Sequence, residues 1–321
     1  YKRQLLLAPV SVWLDCNFCK GSLVSAFMGG FDAATGQEIL EQAFAVSLQL
    51  PSAVDTPYAG WRELSRVLAA LVQARGAKVI AVSGSQGSGK TTLSNVLTRT
   101  CKQMGINTLS CSIDDFYLSR ADRTQLARQV HPLLQTRGVP GTHEWHWLQS
   151  VLQAVHEGGA ELRLPVFDKG RDDRKGTLTA EVDTLVLEGW CLGVTAQPDK
   201  LLADPVNDLE RDEDPQGIWR GYVNDQIRDH YESLWTQVDL WVHLRVPSFT
   251  QVVHWRTQQE QQLPASQRMS EPEILRFIQH YERLTRWLWA SVPLGPGVVV
   301  RLDEAHQVAE LAASGATRIT A

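Results

Sequence analysis

The chain has 321 residues, of which 43% are hydrophobic and 21% charged, and it carries a formal net charge of −5. This is the composition of a globular protein with one large or two small domains. The acidic balance argues against a general nucleic-acid binder and a membrane-surface protein, and no apolar run is long enough to span a bilayer.

Residues 1–75 read as a helical extension packed on the core. Segments 5–14, 23–28, 37–48 and 61–74 have helix-like apolar spacing, and Pro51, Pro57 and Gly60 separate the last two. Asp15 follows the first apolar run closely and no small-residue cleavage site is evident, which argues against a signal peptide. Cys16 and Cys19 form a C-x-x-C with no second pair nearby, so they read as incidental thiols. Five cysteines, an odd number, suit a reduced, cytoplasmic setting better than a disulfide framework.

From residue 76 onward the pattern alternates. The spacing predicts a strand over 79–82, a helix over 90–104 ended by Gly105, and a strand over 107–113. A mostly helical, polar region follows, including 147–156. The wholly apolar strand 184–187 reads as buried on both faces. Residues 195–217 read as an exposed acidic loop. A helix over 222–235 leads to a strand over 240–246. Helices over 249–262 and 271–289, a strand over 298–302 and a closing helix from Ala305 complete the chain. This is an α/β fold with a parallel sheet, in which ligands bind at the carboxyl ends of the strands.

The first strand runs into KVIAVSGSQGSGKTTL, which fits the phosphate-loop pattern G-x-x-x-x-G-K-[ST]. Glycines let successive backbone N–H groups point inward at a phosphate, and the following helix start adds free N–H groups and a positive dipole end. The triphosphate-binding set is Gly84, Ser85, Gln86, Gly87, Ser88, Gly89, Lys90, Thr91 and Thr92. Lys90 supplies charge to the β and γ phosphates, and the Thr91 hydroxyl can hold Mg²⁺, so a nucleoside triphosphate and Mg²⁺ are expected.

The strand ends carry acids. Asp114 and Asp115 follow the second strand. One can take a proton from an acceptor hydroxyl while the other arranges metal or water; an Asp N-cap of the next helix is the structural alternative. Glu188 closes the third strand, where a carboxylate can orient Mg²⁺. Two basic, turn-rich segments lie between them, one holding Arg137 and His143, the other Asp168, Lys169 and Arg174. They can bind an anionic substrate group, Arg being best suited to a carboxylate, or can be solvated loops with paired charges. Arg256 lies on a helix that can act as a lid bringing charge to the transferring phosphate, or it is a solvated charge on a helix surface.

The motifs GSQGSGKTT, SIDDFYL, RGVPGTH, LPVFDKGRDDR and LVLEGWCLG, in that order, resemble D-glycerate 3-kinase of the plant and cyanobacterial type. VNDQIRDHYESLW, WRTQQE and MSEPEILRFIQHYERL are similar to the C-terminal half of the same family. SIDDFY and LEGW also resemble the wider group of uridine kinase, phosphoribulokinase and pantothenate kinase. The resemblance implies a three-layer P-loop kinase fold over 76–321, with a central five-stranded parallel sheet, substrate loops over 130–175 and lid-like helices over 249–290. It implies transfer of the ATP γ-phosphate to the 3-hydroxyl of D-glycerate, giving 3-phosphoglycerate in photorespiratory glycolate salvage. Lys90, Asp114 as general base and Glu188 would be the catalytic set, and Thr91 and Glu188 the Mg²⁺ ligands. Asp114, Tyr117, Arg137, His143, Asp168, Lys169 and Arg174 would meet the acceptor, and Arg256 the nucleotide. The implied partner is a small molecule bound by a monomer or homodimer, with no nucleic acid and no membrane. Alternatives are a kinase for a nucleoside or pantothenate-like molecule, or a non-catalytic ATP-binding protein.

Overall fold

The computed structural model describes residues 59–158, 161–264, 268–291 and 294–314. The expected helices over 5–14, 23–28 and 37–48, and the Cys16/Cys19 pair, lie outside them. Helix α1 (Ala59–Arg75) leads into strand β1 (Val79–Gly84) and helix α2 (Lys90–Gln103). Strand β2 (Thr108–Ser112) is followed by a single 3-10 turn, then α3 (Arg120–Gln129) and α4 (Trp145–Glu157). Strands β3 (Glu161–Asp168) and β4 (Asp173–Glu181) form a separate antiparallel hairpin. Strand β5 (Thr184–Gly189) precedes α5 (Asp208–Glu213), α6 (Ile218–Gln226) and α7 (Glu232–Trp235). Strand β6 (Leu240–Arg245), α8 (Phe249–Gln261), α9 (Glu271–Ala290), β7 (Gly297–Leu302) and β8 (Val308–Ser314) complete the described elements.

The main sheet has the order β2-β5-β1-β6-β7-β8. Its first five strands are parallel, and β8 pairs antiparallel to β7 at the edge. The expected five-stranded parallel sheet is therefore present, with one strand added where a closing helix was expected. The alanine-rich segment after Ala305 favours a helix by propensity. The exposed edge of β7 and a tight turn decide otherwise. In that turn Asp303 N–H donates to the Gln307 carbonyl at 2.9 Å, and Asp303 Oδ1 accepts from the backbone of Ala305 and Gln307.

Successive residues of a strand point to opposite faces, and β1 shows what that does here. Val79 and Ala81 join one core, with Leu185 and Leu187 of β5, Val151 of α4 and Leu284 of α9. Ile80 and Val82 join the other, with Leu68 of α1, Leu93 of α2 and Val252 of α8. Burial on both faces explains why β1 and β5 read as unbroken apolar runs. Full burial contributes about 1.5–3 kcal/mol for each Val, Leu or Ile, which fixes β1 and β5 as the centre of three layers.

Two further readings change. The segment LPVFDKGRDDR is the turn and inner ends of the β3–β4 hairpin, where cross-strand pairing outweighs its Pro and Gly. Residues 195–217 are not simply an exposed acidic loop. They include α5, and Glu210 and Asp214 are fully buried in ion pairs with Arg283 and Arg220. Among the described residues no helix is long and apolar enough to cross a membrane.

Candidate active site

The sheet order places three chain segments at one carboxyl edge. Glu188 of β5 is in register with Val82 of β1 on one side and Ser112 of β2 on the other. The loop 84–92 leaves β1 and the Asp114 segment leaves β2, so both fall beside Glu188.

In the loop, Gly87 and Gly89 take φ of 75° and 85°, left-handed values that side chains disfavour. Helix α2 begins at Gly89 with no side-chain cap and no acid in its first turn. Its leading N–H groups are thus available for an anion. The side-chain oxygens of Ser85, Gln86 and Ser88 are buried without a hydrogen-bond partner. Such groups cost about 1–3 kcal/mol each when left unsatisfied, and here they line a loop whose backbone suits phosphate. Lys90 Nζ donates to the Ser85 carbonyl at 2.9 Å. Desolvation lowers the Lys90 pKa, while the charges of Glu188 and Asp114 oppose the shift. Thr91 Oγ1 donates to Glu188 Oε1 at 3.0 Å. Thr92 follows, half-buried, in the first turn of α2.

The two aspartates have different tasks in the fold. Asp115 accepts from Ser112 N–H at 3.3 Å and from Phe167 N–H at 3.4 Å, completing a capping box with Ser112. Burial pushes its pKa up, and those N–H groups oppose the rise. Asp114 faces the site. Its Oδ2 accepts from Lys169 Nζ at 2.6 Å and its Oδ1 from the Tyr117 hydroxyl at 2.8 Å. Burial works to raise the Asp114 pKa, but the Lys169 charge and the two hydrogen bonds outweigh it, and the net shift is downward. Lys169 moves upward, because Asp114 outweighs desolvation.

Behind Asp114, Tyr117 stacks on His143 with ring centroids 4.7 Å apart. His143 Nδ1 lies 2.8 Å from the Tyr231 hydroxyl, which itself accepts from Gly141 N–H at 3.0 Å. Tyr231 and the imidazole thus share one buried hydrogen bond, and burial holds His143 neutral with a pKa of about 4.

The structure brings Lys90, Thr91, Asp114, Tyr117, Lys169 and Glu188 together, with His143 behind them. Arg137 and Arg256 line an adjoining cavity of about 550 Å³, along with Arg120, Arg123, Asp172 and Phe277. Arg137 pairs with Asp172 and donates to the Lys169 carbonyl at 3.3 Å. Arg256 pairs with Glu260 at 2.6 Å and lies over the Phe277 ring. Asp168 and Arg174 are engaged locally. Asp168 Oδ1 accepts from the backbone of Gly170 and Arg171 in the hairpin turn, and Arg174 bonds the Tyr117 carbonyl and Glu144. Trp61 and His306 are contacts that no motif announces, whereas Tyr231 and Asp172 fall within VNDQIRDHYESLW and LPVFDKGRDDR without being singled out there. Tyr231 ends a π turn between α6 and α7, a local irregularity that often accompanies functional sites.

No model of a known protein family matches the chain. It is 31% identical over 220 residues to an uncharacterized kinase of Schizosaccharomyces pombe, an alignment covering 63% of this chain and 78% of that protein. It is 29% identical over 248 residues to the chloroplastic D-glycerate 3-kinase of Arabidopsis thaliana, covering 70% of this chain and 52% of that protein. Among solved structures, the D-glycerate 3-kinase of Cryptococcus neoformans superimposes with a TM-score of 0.61 at 21% identity, covering 92% of this chain and 100% of that one. At that identity the likeness concerns the fold.

Proposed function

The chain belongs to the ATP-dependent P-loop kinase family of its fission-yeast relative, and on that premise we propose that it phosphorylates the 3-hydroxyl of D-glycerate. The product is 3-phosphoglycerate, formed in glycolate salvage. The observation that carries the reading is Asp114, ionised and bonded to Lys169 and Tyr117, on the same sheet edge as a phosphate loop. The Arabidopsis relative's name points to the same acceptor.

In this reading loop 84–92 holds the triphosphate, and Lys90 offsets charge that builds on the transferring group. Asp114 accepts the proton of the acceptor hydroxyl as its oxygen attacks the γ-phosphorus. Lys169 keeps Asp114 deprotonated and Tyr117 orients it. Arg137 and Arg256, facing the cavity, bind the acceptor carboxylate and the phosphate respectively. The hydroxyl of Thr91 and the carboxylate of Glu188 are hard oxygen donors already in contact. They fit Mg²⁺, which takes one or two protein oxygens beside water and phosphate and supplies charge neutralisation when bound.

The test is incubation with ATP, Mg²⁺ and D-glycerate, followed by detection of 3-phosphoglycerate. ATP binding without that product would sink the acceptor assignment. The cavity favours a second reading, since about 550 Å³ is room for more than a three-carbon acid. A larger hydroxylated acid or nucleoside would then be the acceptor, and ADP release across a panel of such acceptors distinguishes the two.

A further inference from the structure

Three segments far apart in the chain meet on the outer side of the phosphate loop. Trp61 of α1 lies so close that a Cβ on Gly89 would sit 2.6 Å from its ring. Trp255 of α8 stands equally close to Gly87, whose added Cβ would fall 2.7 Å from the Trp255 Cβ. The third segment is the β7–β8 turn. His306 Nε2 lies 2.8 Å from the Gly87 carbonyl oxygen, so this nitrogen carries the proton and donates it. The His306 ring stacks on Trp255 with centroids 3.6 Å apart, and its backbone carbonyl accepts from Trp61 Nε1 at 3.0 Å.

His306 has a left-handed φ of 60°, a conformation that non-glycine residues adopt infrequently. The Asp303 carboxylate, bonded to the backbone on both sides of His306, holds the turn in that shape. The outcome is an imidazole aimed at one carbonyl of the loop. In a trans peptide the C=O and N–H groups point in opposite directions. Turning the Gly87 carbonyl outward to His306 therefore turns the Ser88 N–H inward. There it donates to the Ser85 carbonyl at 3.3 Å, the same oxygen that Lys90 Nζ reaches, so this peptide closes the loop around Lys90. Gly87 has no side chain to resist a flip of this peptide.

We propose that His306 is a positioning residue for phosphoryl transfer. It locks the Gly87–Ser88 peptide in the orientation that gives the loop its phosphate-binding shape, with the Ser88 N–H bonded to the Ser85 carbonyl, while Trp61 and Trp255 wall in the ring and the loop. The proposal rests on reading loop 84–92 as the ATP phosphate site, and it does not depend on the acceptor. It makes α1 and the C-terminal hairpin, neither of which carries a motif, part of the nucleotide site.

The experiment compares His306→Phe, which keeps the stacked ring but lacks the donor, with His306→Gln, which keeps a donor of similar reach. Calorimetric titration of the full chain with ATP, melting temperature and separate KM values for ATP and acceptor are measured. Expected for His306→Phe is a 3- to 10-fold weaker ATP Kd, about the size of one hydrogen bond. Its melting temperature and acceptor KM should be unchanged, and His306→Gln should recover most of the affinity. Unchanged ATP affinity in His306→Phe would overturn the proposal. So would a parallel fall of affinity and melting temperature in both variants, which marks a purely structural role. If the unaltered protein binds no ATP, the phosphate-site premise fails and the proposal falls with it.

Discussion

Asp114 and Asp115 are chemically identical and adjacent, yet the backbone assigns them opposite roles. Asp115 closes the turn after β2 through two backbone N–H groups, whereas Asp114 meets only side chains, Lys169 and Tyr117. Asp114→Asn should lower kcat by roughly 10²–10⁴-fold, the usual worth of a general base, with ATP affinity retained in calorimetry. Asp115→Asn should instead cost about 0.5–2 kcal/mol of stability, the range for a lost cap, with a smaller change in kcat. Equal loss of kcat in both would contradict the division. Lys169 supplies a second check. In the proposed mechanism Asp114 acts as a base only when deprotonated, so activity should fall as pH drops through its pKa. Removing Lys169 leaves burial to push that pKa upward. In Lys169→Met the acidic limb of the kcat/KM profile should therefore move to higher pH than in the unaltered protein. A limb that stays put would mean that Lys169 does not set the charge of Asp114.

At the scale of elements, the edge-forming strands and the phosphate loop are legible in the sequence because their signals are local. An apolar run, a glycine turn and an acid at the strand end each announce themselves within a few residues. Contacts with no local signature are not legible. Trp61 and His306 are 245 positions apart where they bond, and β8 is a strand only because β7 offers it an edge. The acidic stretch 195–217 is misread for the same reason, since Glu210 owes its burial to Arg283, on α9. Arg283 makes two bonds to Glu210, at 2.7 and 2.6 Å, and donates to the carbonyls of Leu201 and Asp204. This pair ties α5 and the segment before it to the long helix. Arg283→Met leaves the Glu210 charge buried and unpaired, so it should cost about 3–5 kcal/mol. Urea denaturation reads that loss, and adding Glu210→Leu should restore part of it by removing the stranded charge.

For the whole molecule, three buried histidines set how stability depends on pH. Burial brings the pKa values of His143, His243 and His280 down from 6.5 to about 4, 3 and 4. Each has an Nε2 without a partner. His280 Nδ1 donates to the Arg276 carbonyl at 3.1 Å, so an added proton on its Nε2 would meet no acceptor. The charged form of His143 would carry a proton on both ring nitrogens, and the one on Nε2 would meet no acceptor. Neighbouring charges modify the shifts without reversing them: Asp114 favours the charged form of His143, Arg245 opposes that of His243, and Arg276 and Glu213 act in opposite senses on His280. In the unfolded chain all three bind protons near pH 6.5, and in the folded chain only near 4 or below. Between those limits the unfolded state holds more protons, so stability is full above pH 6.5 and declines as the pH falls toward 4. Each histidine contributes a slope of at most about 1.4 kcal/mol per pH unit. Urea midpoints measured from pH 7 to 4.5 should therefore fall steeply, and His243→Phe, which keeps a ring against Trp241, should reduce the slope by about a third. A flat profile over that range would show that these imidazoles accept protons without unfolding, and that the core around the Tyr117–His143 stack admits charge.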